Sequence, residues 1–300
     1  MSRLANLHAI YRASIGAALR TGASWFFITL WLLATVYLAF LGRIESLLTA
    51  FGVLAGTILF VLLTIPMTAE APVDKEGQAV RRRAAVQTLV LLLIVFLTGY
   101  DVVASRRALP KAPVWTSLVT LLYDLERAVH VPLNCLVNPT LYFVLPCGLL
   151  LALGARWPEM GFRRGFHTWR VAALWSALPL LFAVVTLVRG QTTLNYLLVR
   201  AIHTTLSSGP FEEFLFRGAL QTRLGHTFTK TWGIVLSGLA FGLWHTGANL
   251  QNFEGNLPAA AAMAIVNQGI GGVGLGIVFQ RTRNLLATSV IHVSTNVAFG

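Results

Sequence analysis

Charge is what this sequence has least of. Only 11% of its 300 residues are charged, whereas 56% belong to the apolar set. A soluble domain carries about 25% charged residues to wet its surface, so a water-soluble globule is excluded, and the mean hydropathy of +0.70 agrees. Acids are scarcest, 11 against 23 Lys and Arg. The net charge of +12 nevertheless does not describe a nucleic-acid binder. Such a protein gathers its cations on one hydrophilic face, and here they fill short gaps between apolar runs: Arg81-Arg82-Arg83, Arg106-Arg107, Arg156 with Arg163, Arg164 and Arg170, and Arg281 with Arg283. Cations so placed mark cytosolic loops and meet anionic lipid headgroups. Cysteine is nearly absent as well. Cys135 and Cys147 fall in one apolar segment; on one helix they would stand about 18 Å apart, too far for a disulfide, and both read as small buried hydrophobes. No cleavage-site signature follows the first apolar run, which reads as a retained membrane span.

What is abundant is apolar sequence in lengths close to the ~20 residues that cross a bilayer. Such runs lie at about 23–41, 46–66, 85–104, 133–154 and 171–188, with less uniform ones at about 193–207, 211–224, 231–247, 257–280 and 285–300. They are too long for barrel strands, and backbone groups in lipid must be satisfied internally. The fold expected is therefore an all-α polytopic bundle of about seven to nine helices. Arg3, Arg12 and Arg20 place the N-terminus in the cytosol, in a multi-pass protein of a bacterial-type plasma membrane. The stretch 105–132 breaks the alternation, because strict counting puts it outside although it carries Arg106, Arg107, Lys111 and Arg127. Either it lies on the membrane surface or the count is off by one. Residues 1–154 carry no motif, whereas 195–300 place acids, histidines and asparagines inside apolar helices. The chain reads as one integral domain, accessory spans first and chemistry last.

The last hundred residues hold three acids, Glu212, Glu213 and Glu254. Two are adjacent, in Pro210-Phe211-Glu212-Glu213-Phe214-Leu215-Phe216-Arg217. One ionised residue at mid-membrane costs about 2.5–3.5 kcal/mol, so a neighbouring pair needs partners. Glu213 and Arg217 share a helix face at i and i+4; Glu212 lies about 140° from Arg217 and must find another partner. Acids in a first turn also suit a helix dipole, so the pair alone does not separate structure from function. Two further segments do. Phe241 and His245 share one face, and His292 and Asn296 share another, both at i and i+4. A carboxylate, two histidines and an amide on separate apolar helices are each costly in lipid, and one shared polar cavity is their cheapest arrangement.

Glu212-Glu213-x-x-x-Arg217, Phe241-x-x-x-His245 and His292-x-x-x-Asn296, in this order, resemble the three motifs of the CPBP family. These are the CAAX prenyl endopeptidases of Ras-converting type and their bacterial relatives, also called the ABI family. The resemblance covers about residues 195–300. It implies hydrolysis of a peptide bond inside the membrane, with Glu212 as the general base that activates water and His245 helping to hold that water. His292 and Asn296 would stabilise the oxyanion, and Glu213 with Arg217 would form a supporting ion pair. It further implies a membrane-associated or lipidated protein or peptide as substrate, and no cofactor. A zinc site on Glu212, His245 and His292 is the alternative.

Rival signatures are few. There is no His-Glu-x-x-His and no Gly-x-Ser-Gly. Tyr100-Asp101 matches half of an aspartyl protease pattern, but the second half is missing, and Asp101 reads as a span-end residue. Gly269–Gly276 contains G-x-G-x-x-G, yet no strand precedes it. Gly272 and Gly276 instead let helices approach closely, which would bring the last helix up to the motif helices. The stretch 157–163 reads as interfacial. Two other functions fit the polar residues less well. A proton-coupled transporter would relay through Glu212, His245 and His292, but the halves of the chain are unlike. A non-catalytic immunity-type protein would have little need of all four residues.

Overall fold

The computed structural model describes residues 3–68 and 78–299, with side chains from 6 and 81 onward in the two stretches. The side chain of Arg3, on which the orientation partly rests, and Gly300 lie outside the described residues. No strand occurs among the described residues. Five helices are long and apolar enough to cross a membrane, and two shorter apolar ones accompany them. The protein is an all-α, integral membrane bundle.

The chain forms two compact units, Met1–Ala112 with Leu220–Arg281 and Pro113–Ala219 with Thr282–Gly300. Each draws on both the motif-free and the motif-bearing parts of the sequence.

The first unit contains α1 (Arg3–Leu19), α2 (Gly22–Phe40), α3 (Ile44–Met67) and α4 (Gln78–Arg107). On α2, Ala23, Phe27, Trp31, Ala34 and Leu38 repeat at three- and four-residue spacing and form the buried stripe of the unit's core. The opposite faces of α2, α3 and α4 expose Leu33, Val36, Leu48, Leu89 and Phe96, as lipid-facing surfaces do. Arg281 is not a headgroup cation: it donates to the Ile65 carbonyl and to the hydroxyls of Thr68 and Ser14, closing the end of α3. Asp101 lies within α4 and pairs with Lys111 at 3.8 Å.

The second unit contains α5 (Pro113–Ala128), α6 (Val137–Ala152), α7 (Thr168–Val188) and α8 (Leu194–Ser207). The pattern-breaking stretch is thus largely α5, an amphipathic helix that buries Trp115, Leu122 and Glu126 along one side. Glu126 is a structural acid. Its carboxylate accepts the backbone N–H groups of Asn134, Leu136 and Val137, satisfying donors at the start of α6 that have no helical partner. This corrects the span expected at 133–154. Residues 133–136 form a turn, and the helix begins only at Val137, about four residues short of bilayer length. The single-helix separation of the two cysteines falls with it, since Cys135 sits in that turn; both thiols are free.

Residues 209–227 form α9, of which 209–219 belong to the second unit and 220–227 to the first. In the first unit follow α10 (Lys230–Trp244) and α11 (Leu257–Thr282), and in the second α12 (Leu285–Phe299). Gly272 does permit a close helix contact, with α10. A Cβ there would meet the Gly238 carbonyl oxygen at 2.8 Å. The reciprocal position agrees, because a Cβ on Gly238 would meet the Val273 nitrogen at 2.8 Å.

Candidate active site

The first turn of α9 carries the acid pair, and its neighbours decide where the acids face. Gly209-Pro210 starts the helix, proline supplying a pre-set φ at a position where its missing N–H costs nothing. Gly209 also permits a close approach to α12, since a Cβ there would meet Val293 Cγ2 at 2.7 Å. On the other side, Phe211 and Phe214 sit three residues apart and bracket Phe143 of α6, with ring centroids at 6.2 and 4.7 Å. Phe162 stacks on Phe214 at 5.7 Å. This aromatic buttress holds one face of the turn and leaves Glu212 and Glu213 to face α12. From Phe214 to Gln221 the helix widens into π form, a geometry common at functional sites.

Four ionisable side chains of the second unit converge there. Glu213 is fully buried; its Oε1 forms an ion pair with Arg217 Nη1 at 3.2 Å and accepts a hydrogen bond from His292 Nδ1 at 2.8 Å. The side chains of Arg217 and His292 are themselves 1% and 8% exposed, so the whole group is withdrawn from solvent. Thr288, one turn before His292 on α12, borders the same carboxylate. His292 Nε2 points toward Glu212 Oε2 at 3.7 Å, too long for a hydrogen bond. Glu212 Oε2 is buried and accepts no hydrogen bond.

The expected i,i+4 ion pair of Glu213 and Arg217 is therefore present, but Glu213 does more than neutralise Arg217. A carboxylate can only accept from Nδ1–H, so Glu213 keeps a proton on Nδ1 and fixes the orientation of His292, aiming Nε2 at Glu212. The partner anticipated for Glu212 is only this 3.7 Å approach. A buried acceptor atom without a donor costs about 1–3 kcal/mol, and sites that persist at such cost are commonly functional.

Asn296 lies one turn beyond His292 on α12, half-buried; its backbone carbonyl accepts from Arg200 Nε at 2.8 Å. His245, at the end of α10, belongs to the first unit. Its Nδ1–H donates to the Phe241 carbonyl at 2.8 Å, within its own motif, and its ring lies 4.6 Å from that of Phe241. Among the described residues, no three His, Cys, Asp or Glu side chains are grouped as a metal ion would require.

Gly209-Pro210 reads as a helix start from the sequence, but the roles of Phe143, Phe162, Thr288 and Arg200 at the site were not anticipated. Phe211 and Phe214 flanking the acids at i,i+3 were the one available signal, since two aromatics on the back of a charged turn imply a packed support.

Residues 194–298, about a third of the chain, match the family described as Rce1-like, type II CAAX prenyl endopeptidase Rce1-like. No curated protein and no solved structure matches the chain. The matched segment holds all three motifs, so over residues 194–298 the chain is similar to the Rce1-like, type II CAAX prenyl endopeptidases.

Proposed function

We propose that this protein hydrolyses a peptide bond near the C-terminus of a prenylated, membrane-associated protein, using water activated by Glu212 and no metal. The observation that carries the proposal is the buried Glu212 Oε2, which accepts no hydrogen bond and faces a histidine whose far nitrogen is pinned by a second carboxylate.

In this mechanism Glu212 takes a proton from the attacking water as its oxygen bonds to the scissile carbonyl carbon. The carbonyl π electrons move onto oxygen. That oxyanion receives hydrogen bonds from His292 Nε2–H and from the Asn296 side chain, donors of a kind that contribute about 3–4 kcal/mol each. Collapse restores the carbonyl and breaks the C–N bond, and the leaving amine takes the proton from Glu212. In its imidazolium form His292 brings the group Glu212, Glu213, Arg217 and His292 to zero net charge, the cheapest total inside a bilayer. His245 is proposed to hold the water, a role that rests on its motif. Arg217 anchors Glu213, which positions His292.

The test is cleavage of fluorescent membrane peptides, including S-prenylated peptides ending in a CAAX sequence, by the detergent-purified protein with and without a chelator. Wild type should cleave in both conditions, and Glu212→Ala should be inactive while remaining folded. Loss of activity with chelator, restored by zinc, would overturn the metal-free mechanism. Equal activity in wild type and Glu212→Ala would remove Glu212 from its role.

A further inference from the structure

In the second unit, the loop from α7 into α8 and the end of α12 enclose an open pocket of about 480 Å³. Its wall mixes apolar surface from Leu197, Val297 and Ala298 with polar groups from Gln191, Thr192, Thr193 and Tyr196, and carries one cation, Arg200. Arg200 donates Nε–H to the Asn296 carbonyl at 2.8 Å and Nη1–H to the Tyr196 hydroxyl at 2.6 Å. Both acceptors are neutral oxygens, so its charge meets no carboxylate among the described residues. The surrounding sequence supplies none either, since residues 160–211 contain no acid and Arg189 adds a second cation to the loop. The start of α8 adds the positive end of a helix dipole on the same side.

We infer that this pocket binds the free C-terminal carboxylate of the substrate, with Arg200 as the specificity-determining residue. The inference rests on the endopeptidase reading and deepens it. Two features favour a substrate carboxylate. Arg200 is fixed to the backbone of Asn296, so the pocket is built onto the helix that carries His292. Asn296 is only about 6 Å along α12 from His292, a distance that a few residues of extended chain cover at about 3.3–3.6 Å each. A guanidinium with two donors engaged keeps further N–H groups for one planar anion, and the threonine hydroxyls and the Gln191 amide lie within the same pocket. The site thus selects substrates that end near the scissile bond, because an internal segment brings no negative charge to it.

The experiment compares one fluorescent S-prenylated CAAX peptide with a free C-terminal carboxylate and its C-terminal amide twin. Cleavage is measured in wild type, Arg200→Gln and Arg200→Lys, in vesicles of phosphatidylcholine alone and with one-third phosphatidylglycerol. Wild type should prefer the acid at least tenfold in kcat/KM, mainly through KM. Arg200→Gln should bring the acid-to-amide ratio close to one, and Arg200→Lys should keep part of it. A purely structural Arg200 would lower both peptides by one factor and leave the ratio intact, which overturns the inference. So would equal cleavage of acid and amide by wild type. A loss in Arg200→Gln seen only with phosphatidylglycerol would assign the pocket to a lipid headgroup instead. Binding of the two peptides to Glu212→Gln, read by fluorescence anisotropy, separates the two proposals. If wild type cleaves neither peptide, the hydrolase reading fails, while a tenfold acid preference in binding that depends on Arg200 still supports the carboxylate site, and equal binding refutes it.

Discussion

Glu213→Gln is the substitution in which stability and chemistry part most clearly. The side chain is fully buried, and its Oε1 pairs with the Arg217 guanidinium at 3.2 Å and accepts a hydrogen bond from His292 at 2.8 Å. Glutamine keeps the shape and one acceptor oxygen but removes the charge. Breaking one side of a buried ion pair costs about 3–5 kcal/mol, because the remaining charge is left uncompensated. Adding Arg217→Met removes that charge too, and replacement of a whole buried pair is often neutral or stabilising. The double variant should therefore recover much of the loss, with a coupling of about 2–3 kcal/mol. Reversible unfolding in mixed micelles with increasing SDS reads these differences. Independent of stability, His292 loses the acceptor that orients its ring, and misplacement of about 1 Å costs on the order of 10²-fold in rate. Cleavage per folded molecule should fall accordingly. A Glu213→Gln protein within about 0.5 kcal/mol of wild type, or losses that simply add in the double variant, would refute the ion-pair reasoning. Wild-type cleavage per folded molecule would refute the positioning of His292.

Other perturbations separate neighbouring residues. Glu212→Gln removes a charge that balances His292 but makes no hydrogen bond through Oε2, so it should cost less stability than Glu213→Gln, while cleavage is lost. Glu126→Gln removes the charge that holds three backbone donors ahead of α6, and should cost about 2–3 kcal/mol; hydrogen exchange should rise first at the amides of residues 134–137. Gly272→Ala puts a methyl 2.8 Å from the Gly238 carbonyl oxygen, and overpacking of this kind costs about 1–3 kcal/mol. The paired change Gly238→Ala should add little, since the same contact is already open.

The helices were legible because long apolar runs in a chain with so little charge have few other structures open to them. Their ends were less so. Glu126 reaches eight to eleven residues forward to shape the 133–136 turn, a contact no local pattern announces, and α6 is shorter than its apolar run for that reason. The π segments left no trace either, because they arise from packing and not from composition. At the site, the i,i+4 spacings placed Glu213 beside Arg217 and His292 in line with Asn296. The bond between Glu213 and His292 joins residues 79 apart in sequence, so helical periodicity could not supply it. Nothing in the sequence singled out Arg200, whose partner Asn296 lies on α12, 96 residues away.

The role of Glu212 is open to one direct reading. A single turnover of the prenylated peptide in ¹⁸O-labelled water, followed by mass spectrometry of the released peptide and of the enzyme's own Glu212, distinguishes a base from a nucleophile. Water activated by Glu212 attacks the substrate directly, so one ¹⁸O should appear in the new carboxylate of the product and none in Glu212. Label in the Glu212 side chain after one turnover would mean that the carboxylate itself had bonded to the substrate, contradicting the mechanism proposed for this protein.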